Sequence, residues 1–265
     1  MKHQSTGWLA APAVAYLAIL FIGPAATVLG YSICQRDVYG GVRPAVAWDA
    51  WKMATDPITR QIVGRTVLLA AAVTLACLIV AYPCAATLGR LPRRQRALLV
   101  LAISFPLVTS LLLRTYGWMN LLPLAWRGTL PGIGLVLTCN YLPFMLLPLM
   151  KAYERADQNL VHAAMDLGAT PLVAFWRVTV PITLPAAASG AALVFIPVSG
   201  EYLIPHFIGD GKVNVLGTLV MEWFGHRHWP YAAACATWLA AILLIPVIAS
   251  LTWKSRDQTL SDWPQ

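Results

Sequence analysis

The chain has 265 residues, of which 58% are hydrophobic and only 11% charged, with a formal net charge of +8. That mix excludes a water-soluble globular domain and defines a polytopic membrane protein. The basic surplus does not indicate a nucleic-acid partner, because the Lys and Arg residues are spread over loops on both sides of the predicted membrane. Anionic lipid headgroups suit that distribution better.

Taken in chain order, charge-poor runs predict six transmembrane helices, at about 8–33, 66–89, 97–118, 129–150, 178–204 and 229–253. Most approach or exceed the roughly 20 residues that a helix needs to cross a bilayer core. They are too long and too evenly apolar for barrel strands, so the expected fold class is an all-α membrane protein forming a single transmembrane domain over residues 1–265. The first run follows Lys2, as a secretory signal would, but about 27 uncharged residues far exceed the 7 to 15 of a signal core. It is expected to stay attached as the first span.

Arg90, Arg93, Arg94 and Arg96 crowd the short link between the second and third spans, and by the positive-inside rule that link is cytoplasmic. Six spans then put both termini and the 151–177 segment in the cytoplasm, and the segments near 36–62, 114–128 and 206–227 outside. The overall Lys and Arg tally is nearly even between the sides, so the orientation rests on that cluster. Trp8, Trp118, Trp229 and Trp253 fall near predicted span ends, as in an interfacial aromatic belt. Proline recurs inside the spans, at Pro24, Pro83, Pro106, Pro143, Pro148, Pro197 and Pro246. Kinked spans suit a protein that opens and closes, although membrane helices also tolerate proline without hinging. Cys34, Cys77, Cys84, Cys139 and Cys235 show no CxxC spacing and read as small apolar filler.

The segment between the fourth and fifth spans is the most informative. From Ala152 to Leu167 the sequence predicts an amphipathic helix of about four turns, with Leu160, Ala163, Ala164 and Leu167 on one stripe and Glu154, Arg155, Asp157, Gln158, His162 and Asp166 largely elsewhere. Gly168 closes it, since glycine accepts the left-handed conformation of a helix C-terminus. Thr170-Pro171 then reads as N-cap and first residue of a second short helix, and Pro181 opens the fifth span. A helix, glycine turn, helix knob with small residues at its tip invites a partner to close over it.

At these residues the chain resembles the integral membrane subunits of binding-protein-dependent ATP-binding-cassette importers, whose signature is Glu-Ala-Ala, three residues, Gly, nine residues, then Ile-x-Leu-Pro. Here Ala163-Ala164 precede Gly168 by three residues, and nine further on stands Val178-Thr179-Val180-Pro181, with His162 where the family usually has Glu. Within that family the chain resembles the spermidine/putrescine branch, at Leu113 to Trp118, Asn140 to Met145, Phe175 to Thr179, Val194 to Pro197 and Gly200 to Pro205. Two departures stand out: a short outer connection from Trp118 to Leu130, and Val198-Ser199 before Gly200-Glu201.

The chain has no GxxxxGK[ST] loop to cradle ATP phosphates, so it is expected to be a transport subunit and not an enzyme. The resemblance implies that Ala163, Ala164 and Gly168, with His162, Asp166 and Pro181, couple to a separate cytoplasmic ATP-binding subunit, itself a homodimer. It also implies a second permease subunit and a periplasmic or extracellular solute-binding protein. No cofactor is expected. Candidate pathway residues are Glu201, Tyr202, Arg114 and Tyr116. A carboxylate near the outer end of the fifth span is costly unless it faces a cavity or a partner, and Glu201 there is placed to meet a polyamine cation. It reads equally as an interface residue or as the partner of Arg114 or Arg65. His206, His226 and His228 do not make a metal site at their spacing. Alternative cargoes are an opine, an aminophosphonate or ferric iron, and the distant alternative is an ion-coupled secondary carrier, which would call for inverted repeats and several buried carboxylates.

Overall fold

A computed structural model describes residues 7–156 and 158–244 of the chain. The far end of the sixth predicted span, with Pro246 and Trp253, lies outside the described residues, as do Lys2 and Asp157. The described residues form two compact units, one of those up to 63 and from 219 onward and the other of those between 64 and 218.

The first unit holds α1 (Gly7–Ser32), a hairpin of β1 (Cys34–Arg36) and β2 (Val42–Val46), α2 (Asp49–Ala54) and the start of α3 (Pro57–Arg90). The hairpin corrects the all-α expectation. Its turn passes through Gly40 and Gly41 at φ of +88° and +98°, where an L side chain is strained. The Gly41 N–H donates to the Arg227 carbonyl at 2.9 Å, and the Thr59 and Tyr231 hydroxyls meet at 2.8 Å. Trp223 stands edge-on to His228 and Tyr231, and Phe224 stacks on Trp229. Burial, and then the positive charge of Arg36, holds His228 below the usual histidine range, so it stays neutral in this small aromatic cap. The chain ends its described course in α12 (Trp229–Leu244).

The second unit contains the rest of α3, then α4 (Arg93–Val108), α5 (Leu111–Leu121), α6 (Leu130–Arg155), α7 (Gln158–Asp166), α8 (Pro171–Ala174), α9 (Val180–Gly200), α10 (Leu203–Ile208) and the start of α11 (Leu216–Gly225). Helix α6 is its centre. Ile133, Val136, Leu137, Met145 and Leu149 are fully buried along it, and α9 crosses it closely. Gly190 permits the crossing: a Cβ there would lie 2.8 Å from Met145 Sδ and 3.2 Å from the Met145 carbonyl oxygen. Small residues let membrane helices approach in this way, with packing rather than water exclusion as the attraction.

Four helices are long and apolar enough to cross a membrane, at Val14–Ser32, Pro57–Gly89, Leu130–Arg155 and Pro171–Gly200, and a fifth counts if α4 and α5 make one broken span. Several predicted boundaries need correction. The helix that carries the second span starts well before 66: α3 begins at Pro57, where the Asp56 carboxylate accepts the Ile58 N–H at 3.3 Å and proline occupies a first-turn position that needs no donor. The third span is not one helix over 97–118. It breaks at Thr109 and Ser110, both extended, and α5 leaves α4 at 99°. Pro106 weakens that last turn because it has no N–H for the Ala102 carbonyl, and beyond it the Thr109 hydroxyl donates to the Pro106 carbonyl at 3.1 Å.

Candidate functional site

The knob between α6 and α9 differs from its prediction at both of its helices and matches it at the turn between them. The four-turn helix from Ala152 to Leu167 is two helices, because α6 runs on to Arg155 and Ala156 is extended at φ −68°, ψ 129°. The amphipathic pattern runs through this break unchanged, since a break set by where the chain must turn leaves no mark on periodicity. Near the end of α6, Glu154 pairs with Arg96 of α4 at 3.4 Å.

At the other end of α7 the glycine turn is as expected. Gly168 sits at φ +89°, its N–H donates to Met165 O at 2.9 Å, and the Ala169 N–H reaches back to Ala164 O at 3.0 Å. That pair of bonds is the Schellman closure of a helix end. Thr170 then accepts the Val173 N–H on its hydroxyl at 3.3 Å, with Pro171 following. The second helix is not separate from the fifth span, however. Residues Phe175–Thr179 make a π-helical turn that joins α8 directly to α9, so Pro181 lies in the first turn of a continuing helix. The wider turn makes room for a proline ring that would clash with the carbonyl four residues back in a regular helix.

The predicted coupling residues are therefore together on one protrusion. His162, Ala163, Asp166, Gly168 and Pro181 are exposed and Ala164 is half-buried. The expected apolar stripe does not pack inward: Leu160 and Leu167 are open, with Leu167 90% exposed, as are Met165, Leu172 and Trp176. Exposed apolar side chains thus stand on and beside a charged, capped turn.

The second group lies where α6, α9 and α10 meet. Glu201 ends α9 and is 9% exposed. One carboxylate oxygen accepts the Tyr141 hydroxyl at 2.6 Å and the other accepts the Leu203 N–H at 3.0 Å. Neither Arg114 nor Arg65 forms an ion pair with it among the described residues. Arg114 instead interacts electrostatically with the Tyr141 phenol, and its Nε and Nη1 atoms are buried without a hydrogen-bond partner. Tyr116 packs its ring 5.0 Å from Phe207, and Tyr202 caps α10 with its side chain half in the open. Sequence reasoning thus found Glu201 and Arg114 but not Tyr141, which bridges them. A signal existed, because a tyrosine in mid-span needs a partner for its hydroxyl. No three His, Cys, Asp or Glu side chains converge as a metal site among the described residues.

Helices long and apolar enough to cross a membrane, with α6 the most deeply buried of them, define a polytopic membrane protein. Residues 78–254 match the family described as binding-protein-dependent transport system inner membrane component, and the chain belongs to that family. It is 30% identical over 249 residues to the spermidine/putrescine transport system permease protein PotB of Escherichia coli K12, covering 87% of this chain and 90% of that protein. It is 27% identical over 264 residues to the inner membrane ABC transporter permease protein YdcU of the same organism, covering 88% and 82%. In fold it is similar to a chain of a bacterial ABC transporter involved in the import of the acidic polysaccharide alginate, with a TM-score of 0.68 at 18% identity over 96% of this chain and 99% of that one. The chain is a transmembrane permease subunit of an ABC importer in the inner membrane, working with an ATPase and a solute-binding protein.

Proposed function

We propose that the chain crosses the membrane six times as a single permease domain with both termini in the cytoplasm, and forms half of a path for a small cationic solute such as spermidine or putrescine. A second permease subunit completes the pore, the solute-binding protein delivers cargo to the outer loops, and anionic lipids surround the spans. The knob of His162, Ala163, Ala164, Asp166 and Gly168, rigidly continued through Pro181 into α9, docks in a homodimeric ATP-binding subunit. Closure of that dimer tilts α9 and, with it, Glu201. The subunit itself makes and breaks no bond.

The observation that carries this reading is the Glu201 carboxylate, fixed by Tyr141 and Leu203 but with a lone pair left on each oxygen for a cation. Tyr202, Arg114 and Tyr116 border the same path. The names of the relatives support a polyamine as the cation. A second reading has its own support: Nε and Nη1 of Arg114, buried without a hydrogen-bond partner, suit a cargo that brings an anionic group, such as an opine or aminophosphonate.

Orientation is tested by labelling in a background without the native cysteines. A cysteine at Gln95 is expected to be protected from an impermeant thiol reagent in intact cells, and one at Asn214 to be labelled, both positions being exposed on the chain. The reverse pattern overturns the orientation and removes the knob from the side where ATP is hydrolysed.

A further inference from the structure

A groove of about 570 Å³ runs between α3 and α6, walled by apolar side chains from Leu68 to Val80 on one side and from Leu130 to Thr138 on the other. Its depth comes from small residues at facing positions, Ala72 and Ala76 on α3 and Gly134 on α6. A Cβ at Gly134 would rest 3.7 Å from Leu69, which forms the floor. Only two lining residues carry polar side chains. Thr138 turns its hydroxyl back to the Gly134 carbonyl at 2.7 Å, so its proton is spent within the helix. Arg65 stands at one end beside Trp126, and no ion pair engages it among the described residues.

The length of the groove and the charge at its end choose the occupant. From Arg65 to Val80 the helix rises about 22 Å, enough to lay an acyl chain across one leaflet of a hydrocarbon core roughly 30 Å thick. A cation and a tryptophan at the same end are the pair that sits at headgroup depth, where an arginine stem lies along apolar surface and its charge reaches out.

We infer that this groove holds an anionic phospholipid, one acyl chain lying along α3 and α6 and the headgroup phosphate paired with Arg65. The inference deepens the lipid contact proposed above and depends on the membrane-spanning character of α3 and α6, not on orientation or cargo. Phosphate is suited to the guanidinium fork, and the dry walls below exclude water from that contact.

The test uses the assembled transporter in nanodiscs containing phosphatidylglycerol or phosphatidylcholine with a photoreactive acyl chain, the labelled residues being mapped by mass spectrometry. Phosphatidylglycerol is expected to label the 68–80 and 130–138 walls, with competition by unlabelled phosphatidylglycerol and not by phosphatidylcholine. Arg65→Gln should lower that labelling about tenfold per inserted protein, and Arg65→Lys should retain most of it, which separates loss of charge from loss of fold. Equal labelling by the two lipids, or an unchanged signal in Arg65→Gln, overturns the proposal. So does cross-linking of Leu135→Cys to the second permease subunit, which would make the occupant a polypeptide. Labelling of other lipid-facing residues with none in the groove sinks this site while leaving the membrane reading intact.

Discussion

Gly168→Val is expected to leave the transporter assembled in the membrane, hydrolysing ATP, and unable to turn that hydrolysis into uptake. The argument is purely conformational. Gly168 lies at φ +89° with nothing within 4 Å of where a Cβ would be, so a new side chain meets no obstacle and the whole cost falls on the backbone. An ordinary L residue pays about 1–2 kcal/mol in the left-handed region, and a β-branched one pays more. Relief comes by rotating Gly168 out of that region, which breaks the bonds from Gly168 to Met165 and from Ala169 to Ala164 and swings α7 away from Thr170. Uptake in reconstituted vesicles should fall by at least about tenfold, the factor that 1.4 kcal/mol represents. Gly168→Asn should keep most of the activity, because asparagine tolerates the left-handed conformation. Normal uptake by the valine variant at equal protein level would show that the turn has no part in coupling.

Replacing Glu201 by Gln has a comparably large expected effect, confined to cargo. The amide keeps the shape of the side chain and one oxygen for the Leu203 N–H, while the Tyr141 hydroxyl can turn to accept where it now donates. What is lost is the negative charge. Removing a charge contact that is only partly desolvated costs roughly 1 to 3 kcal/mol, or about 5-fold to 150-fold in transport efficiency. Cation uptake should fall by that factor with membrane abundance and basal ATP hydrolysis unchanged. Reduced abundance would point instead to a structural role, and normal cation uptake would remove Glu201 from the cargo path. Arg114→Gln gives the complementary result: little loss for a polyamine, and loss of uptake for a carboxylate- or phosphonate-bearing cargo if that is what the guanidinium awaits.

The sequence made the capped turns plain because their chemistry is local. Gly168 and Thr170-Pro171 each specify a backbone conformation through one or two residues, and both take it. Long apolar runs likewise announced α1, α3, α6 and α9, with α6 emerging as the most deeply buried. What stayed hidden was decided by neighbours. Defining spans by freedom from charge placed the start of α3 after Arg65, although Asp56-Pro57 carried a start signal of its own. The breaks at Ala156 and at Thr109-Ser110 lie inside runs of unbroken pattern, where propensity is a weak guide. The π-helical turn at Phe175–Thr179 lets a helix continue through a proline that sequence rules treat as a beginning. Tyr141 and Glu201 are sixty positions apart, and only the packing of α9 on α6 brings them to 2.6 Å.

The central claim is that the exposed knob between α6 and α9 is where an ATP-driven motor takes hold. Leu167, 90% exposed at the tip of that knob, offers the most direct measurement. With Leu167→Cys in a background lacking the native cysteines, a short maleimide-benzophenone reagent should on irradiation cross-link the chain to the co-expressed ATP-binding subunit in native membranes, with a yield that changes when ATP is trapped. A cysteine at Asn214 should give no such product. Cross-linking of the ATP-binding subunit to the 214 position, or its absence at Leu167 in a transporter that still imports, would contradict the account.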